Sequence, residues 1–167
     1  MGFNVHPVFV HFPIAFLTLY AIVELLPFTY IRKSHTIRAV KLSFLFIGEI
    51  GTVVAGLTGK LASQDAAHNP SVKYPRVIET HSTFAELTFI LFGIITLLYL
   101  AQLITQYYKN ILILPILGLA SEKYYLIAPL ALVSLTMVTI TGALGGIIVY
   151  GPTMDPITQF VYQLLIH

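Results

Sequence analysis

Cysteine and tryptophan are both absent from the 167 residues, and charge is scarce. Without cysteine there is no disulfide, no thiolate metal site, no iron–sulfur cluster and no covalent haem attachment through Cys-x-x-Cys-His. Lys and Arg number nine and Asp and Glu seven, 10% of the chain, where a soluble domain carries about a quarter charged residues to face water. That is too few to coat a soluble surface. A net charge of only +2, with no basic patch interleaved with aromatics, argues against a nucleic-acid partner. A Gly-rich phosphate loop, a Gly-x-Ser-x-Gly elbow and a His-Glu-x-x-His helix are also missing. No Lys or Arg precedes the first apolar stretch, which argues against a cleavable signal peptide.

What is present is apolar. Hydrophobic residues make up 57% of the chain, and the mean hydropathy is +0.86. Leu87 to Tyr108 and Tyr124 to Met154 contain no charged residue. About 20 helical residues cross a bilayer core of about 30 Å, so such runs read as membrane spans. Four spans are predicted, over about 7–26, 40–61, 78–106 and 124–150, within a single integral membrane domain of residues 1–167. Pro27 closes the first and Gly151-Pro152 the last, since proline cannot continue a helix. With tryptophan absent, tyrosine must form the interfacial belt. Tyr30, Tyr74, Tyr107, Tyr108, Tyr124, Tyr125 and Tyr150 all fall near these boundaries. The apolar segment 110–120, broken by Pro115, is too short to span and reads as a re-entrant or interfacial connector.

After Asp155, apolar residues recur at Ile157, Phe160, Val161, Leu164 and Leu165. Asp155 suits an N-cap and Pro156 a first helical position. The fold class expected is all-α: a four-helix transmembrane bundle with a short C-terminal interfacial amphipathic helix, lying on the membrane or offering a docking face. Arg32, Lys33, Arg38, Lys41, Lys109 and Lys123 fall in the first and third loops or their edges, against Lys60, Lys73 and Arg76 opposite. By the positive-inside rule both termini then face outward. The expected location is a bacterial inner membrane, crossed several times.

Under that orientation His6, His11, His68, His81 and His167 lie on the outer side, and His35 sits in a basic cytoplasmic loop. His11 and His81 are the informative pair, each a few residues inside the outer start of the first or third span. In an up-down bundle those two helices are diagonal and run the same way. Two imidazoles at matched depth on diagonal helices suit the two axial positions of a b-type haem. His6 and His68 are further candidates around such a site, and Lys60, Lys73 and Arg76 candidate partners for its propionates.

Divalent zinc or copper held by His6, His11, His68 and His81, with Asp65 nearby, is the alternative, since zinc takes three or four N/O ligands. His6 and His11 are five residues apart, about 140° on a regular helix, so they converge only if the chain before Pro7 is not helical. A purely structural reading stands beside both: an intramembrane histidine can simply hydrogen-bond two helices together. Small residues line the second span (Gly48, Gly51, Ala55, Gly56, Gly59) and the fourth (Thr139, Gly142, Gly145, Gly146). Spacing such as Gly142 to Gly146 is first a helix-packing signal and second a clearance for a flat cofactor. Glu86, Glu49 and Glu24 lie progressively deeper from the outer side, a ladder for protons if all three face the bundle interior.

The opening HPVFVHFPIA resembles the start of a bacterial family of four-helix membrane proteins catalogued as a domain of unknown function. That family's His-Pro-x-x-Val-His-Phe-Pro pattern falls on His6, Pro7, Val10, His11, Phe12 and Pro13. A histidine at the head of the third span matches His81, and an ending Gly-Gly-x-x-Val-Tyr matches Gly145, Gly146, Val149 and Tyr150. The resemblance covers the bundle but not the 110–120 connector or the tail. It implies redox company, because relatives look to be fused to cytochrome c-like or Rieske-like domains, which this chain lacks.

The function expected is therefore a haem b membrane protein in electron transfer, with His11 and His81 as axial ligands. Its partners would be the lipid bilayer, a quinone or an external redox protein, and further membrane chains as a homo-oligomer or larger complex. A zinc or copper enzyme or transporter and a non-catalytic scaffold subunit are the alternatives.

Overall fold

The computed structural model describes residues 5–28, 34–67, 73–107 and 124–166. These form five helices, α1 (His6–Leu25), α2 (His35–Ala67), α3 (Pro75–Tyr107), α4 (Tyr124–Tyr150) and α5 (Pro156–Leu165). There is no strand among the described residues. The first four are long and apolar enough to cross a membrane. The 110–120 connector lies outside the described residues.

Helix α1 carries proline in its first turn, where the missing N–H costs nothing. It ends at Leu26, which is extended at φ −64°, ψ 122°, because Pro27 disfavours the helical region for the residue before it. Helices α2 and α3 each run to 33 residues, longer than the spans predicted from hydropathy. The polar flanks around Arg38 and Gln64 are good helix formers, so the helix continues where the apolar run stops.

Around the bundle each helix touches its sequence neighbours, with α1–α2 and α3–α4 the most closely packed pairs and α1–α4 closing the ring. Helices α1 and α3 take the diagonal. Leu17, Tyr20 and Ala21 of α1, Leu45 of α2, Phe92, Ile95 and Tyr99 of α3 and Val138 of α4 form one buried cluster. The outside is apolar too: Phe12, Ile50, Leu57, Leu97 and Val149 are all exposed. In water that surface would drive aggregation; in lipid it is the solvated face.

The α1–α2 contact is made by small residues. A Cβ on Gly48 would fall 2.5 Å from Leu17 Cδ2, and one on Gly51 would fall 3.0 Å from Pro13 Cδ. This is the close backbone approach that glycine permits between membrane helices.

Helix α5 is held by Asp155, which accepts from the Ile157 and Thr158 amides while Thr158 Oγ1 accepts from the Asp155 amide. This reciprocal arrangement is a capping box. Val161 packs with Val77, Leu144 and Ile147, and the Tyr162 ring meets Tyr74 with centroids 6.5 Å apart. A Cβ on Gly146 would make only ordinary contact with Thr158 Cγ2 at 3.7 Å and Met154 Sδ at 3.8 Å. Ile157, Phe160 and Leu164 remain exposed on the other face. The predicted stripe thus divides between the bundle and the surroundings.

Two polar layers cross the bundle. One contains His6, Thr58 and His81, the other Glu24, Lys41 and Tyr99. They are separated by 18 residues on α1, 17 on α2 and 18 on α3, about 26 Å at 1.5 Å per residue. That is close to the thickness of a hydrocarbon core.

Candidate functional site: a histidine layer at one membrane boundary

His6 is the first residue of α1, and its Nδ1 lies 3.1 Å from Thr58 Oγ1 on α2. The Thr58 hydroxyl sits 3.0 Å from the Val54 carbonyl and 3.1 Å from that of Ala55. With its proton turned to its own helix, the hydroxyl oxygen is an acceptor for a His6 Nδ1–H. This cross-helix contact fixes the direction of the ring.

His81 is fixed the same way from the other side. Its Nδ1 lies 3.0 Å from the Thr141 carbonyl on α4. A carbonyl can only accept, so Nδ1 carries the proton. Beneath it Thr88 Oγ1 and Thr141 Oγ1 are 3.1 Å apart, and each hydroxyl also reaches its own helix backbone, at Phe84 and Met137. The two imidazoles face each other across the diagonal with ring centroids 6.5 Å apart and planes at 77°.

Glycines border both rings. A Cβ on Gly59 would fall 2.9 Å from His6 Cε1, and one on Gly145 would fall 3.4 Å from His81 Cε1. Glycine at 145 therefore opens onto the histidine layer. Gly142 has only Ile14 Cδ1 nearby, at 3.9 Å.

The structure brings His6, and not His11, to His81. His11 lies on the exposed face of α1 with its Nδ1 against the Pro7 carbonyl of its own helix. The reason is the five-residue spacing, about 140° on a helix that starts at His6 itself, so one histidine facing in turns the other out. Lys60, Lys73 and Arg76 are exposed at this end of the bundle, as is Asp65. His68 and His167 lie outside the described residues. Among the described residues no three His, Cys, Asp or Glu side chains group to hold a metal ion.

The acidic residues do not form a ladder, because Glu86 faces outward from α3. Glu24 instead pairs with Lys41 at 2.5 Å and accepts from Tyr99 Oη at 3.1 Å. Lys41 Nζ in turn donates to Tyr99 Oη at 3.0 Å. Three helices are tied together here, and Tyr124 Oη adds the fourth by donating to the Leu25 carbonyl at 3.2 Å. This layer was not among the expected sites although its signal lies in the sequence: Glu24 ends the first span and Lys41 begins the second. The threonine partners of the histidines had no such signal, since most span threonines here bond only their own helix.

No curated protein and no solved structure matches the chain. A family model described as predicted membrane protein matches residues 2–154, which takes in all four long helices and stops before α5. The chain belongs to the DUF2231 family of predicted membrane proteins.

Proposed function

We propose that the His6–His81 layer holds a b-type haem, and that the protein carries electrons between a membrane quinone or an external redox protein and the outer face of a bacterial inner membrane. The observation that carries this reading is the pair of imidazoles across the diagonal, each with Nδ1 at hydrogen-bond distance from an oxygen of a neighbouring helix. Where Nδ1 donates, as His81 does to the Thr141 carbonyl, a neutral ring keeps Nε2 as the lone-pair nitrogen. Anchoring one ring nitrogen on a carbonyl or hydroxyl to orient the other is how metal-ligating histidines are usually held.

Ligand number favours haem over zinc. His6 and His81, whose ring centroids are 6.5 Å apart, would be the two residues that hold the group. A b-type haem needs only two protein ligands, whereas zinc takes three or four. Gly59 and Gly145 let the backbones of α2 and α4 pack against the Cε1 edges of the two rings. Lys60 and Arg76, exposed near this end of the bundle, would neutralise the propionates. When bound, the group supplies one-electron chemistry. The chain's own part is to present two nitrogens, hold their protons away from the metal side and exclude water with a lipid-facing bundle.

The test is a reduced-minus-oxidised absorption spectrum of detergent-purified protein with a pyridine haemochrome assay. The expected result is b-type bands that disappear in His6→Ala and in His81→Ala but survive in His11→Ala. A colourless, folded protein after expression with ample haem overturns the reading, and co-purification with a larger complex would then favour a scaffold. Loss of the bands in His11→Ala with retention in His6→Ala would return the ligand role to His11.

A further inference from the structure

Glu49 lies eight residues from Lys41 and nine from Thr58 on α2, about 12 and 13 Å from the two polar layers. It therefore sits at the middle of the membrane. It follows Leu45, fully buried in the four-helix core, by four residues, so both point inward from one helix face. Glu49 is 8% exposed, and its Oε1 is buried without a hydrogen-bond partner.

A second oxygen shares this condition. Tyr20 is completely buried in the same core cluster, with its hydroxyl unsatisfied. It stands one turn of α1 from Glu24, between the charged layer and the bilayer centre. Buried polar atoms in folded proteins are nearly always satisfied, and an ionisable residue inside a span is costly enough to mark a functional site. Tyr20 thus lies on a helix adjacent to that of Glu49, between the charged layer and the depth of Glu49, and neither oxygen has a fixed partner.

We propose that Glu49 is a proton-binding site at the membrane centre, reached from the Glu24–Lys41–Tyr99 layer through Tyr20 and intervening water. The titratable and charged groups on this side of the core are few. They are Tyr20 and Glu24 from α1, Arg38 and Lys41 from α2 and Tyr99 from α3. Helix α4 carries no titratable side chain between Tyr125 and Tyr150. Glu24 is committed to Lys41 and Tyr99, so the carboxyl that takes up the proton is Glu49: its carboxylate binds one proton delivered from water at the Lys41 end and returns it by the same route. The other half of the path, towards His6 and His81, has no carboxylate between the layers facing the core, since Glu86 faces outward. The connection is therefore one-sided. This inference does not depend on any haem at the histidine layer.

The experiment is infrared spectroscopy of the haem-free protein reconstituted in lipid vesicles, reading the carbonyl stretch of protonated carboxyl groups before and after transfer to heavy water. The wild type is expected to show such a band, shifting on deuterium exchange. Glu49→Gln should lose it, Glu49→Asp should move it, and Glu24→Gln should keep it. Tyr20→Phe should keep the band but slow its exchange at least tenfold. A band unaffected by Glu49→Gln and Glu49→Asp overturns the site. Exchange unchanged by Tyr20→Phe overturns the route.

Discussion

Gly48 and Gly56 lie two turns apart on α2, and replacing each with alanine should move stability in opposite directions. At Gly48 the new Cβ would stand 2.5 Å from Leu17 Cδ2, 2.7 Å from Cγ and 3.2 Å from the Leu17 backbone nitrogen. Leu17 is fully buried, so it cannot swing aside, and α1 must be pushed back. Overpacking of a tight core costs about 1–3 kcal/mol, and contact with backbone as well as side chain puts this site in the upper half of that range. The gain from replacing helical glycine with alanine, about 1 kcal/mol, offsets part of it. Gly48→Ala should then lose about 1–2 kcal/mol. At Gly56 nothing lies within 4 Å of the new Cβ, and only the propensity gain of up to about 1 kcal/mol remains. The assay is reversible unfolding in mixed micelles followed by circular dichroism. Two shifts of the same sign and similar size would refute the close α1–α2 packing from which the contrast is drawn.

Lys41→Met strips the cation from Glu24, which is 6% exposed beside a Lys41 side chain that is 15% exposed. Removing one partner of a buried pair costs about 3–5 kcal/mol. With Tyr99 Oη still donating to the carboxylate, the low end, about 3 kcal/mol, applies. That corresponds to a fall in Tm of roughly 6–12 °C for a chain of this size. Adding Glu24→Gln should recover most of the loss by removing the stranded charge, and a double variant no more stable than Lys41→Met would sink the pairing argument. Asp155→Ala removes the acceptor for two amides at the start of α5 and should cost about 1 kcal/mol. Amide exchange over 156–165 should quicken while α4 stays protected; equal protection in both proteins would show that packing alone holds α5.

Four spans, their breaks and the amphipathic tail were legible because hydropathy, proline and tyrosine belong to the local sequence. Leu26 before Pro27 stops α1 whatever it packs against. The C-terminal end of α2 and the N-terminal end of α3 were not legible, because helix formation continues through polar residues that a hydropathy window reads as loop. The histidine layer was half legible. Depth counted along the chain paired His81 with His11, whereas His81 meets His6, five residues earlier on α1, and orientation around α1 depends on which face meets α2. That face is chosen by Gly48, Gly51 and Gly59 against Leu17, Pro13 and His6, a relation between two helices. Once His6 is the residue that meets Gly59, the 140° separation turns His11 outward.

The same pairing explains why α1 is the shortest of the four long helices. Its 20 residues amount to about 30 Å, so it begins at one polar layer with His6 and ends just beyond the other with Glu24. Polar groups at those depths are within reach of headgroups and water, where an imidazole or an ion pair is least costly. Helix α2 continues nine residues past Thr58 and α3 begins six before His81, so the α2–α3 hairpin stands about 10 Å clear of the histidine layer. Lys60, Asp65, Lys73 and Arg76 all lie on that projecting part or at its edge and are exposed. They are therefore aqueous or headgroup-level groups above the layer rather than charges buried beside it. Glu49 has no comparable access. It is the ionisable side chain that α2 holds in the core half-way between the layers, at the depth where a polar group is most costly to keep.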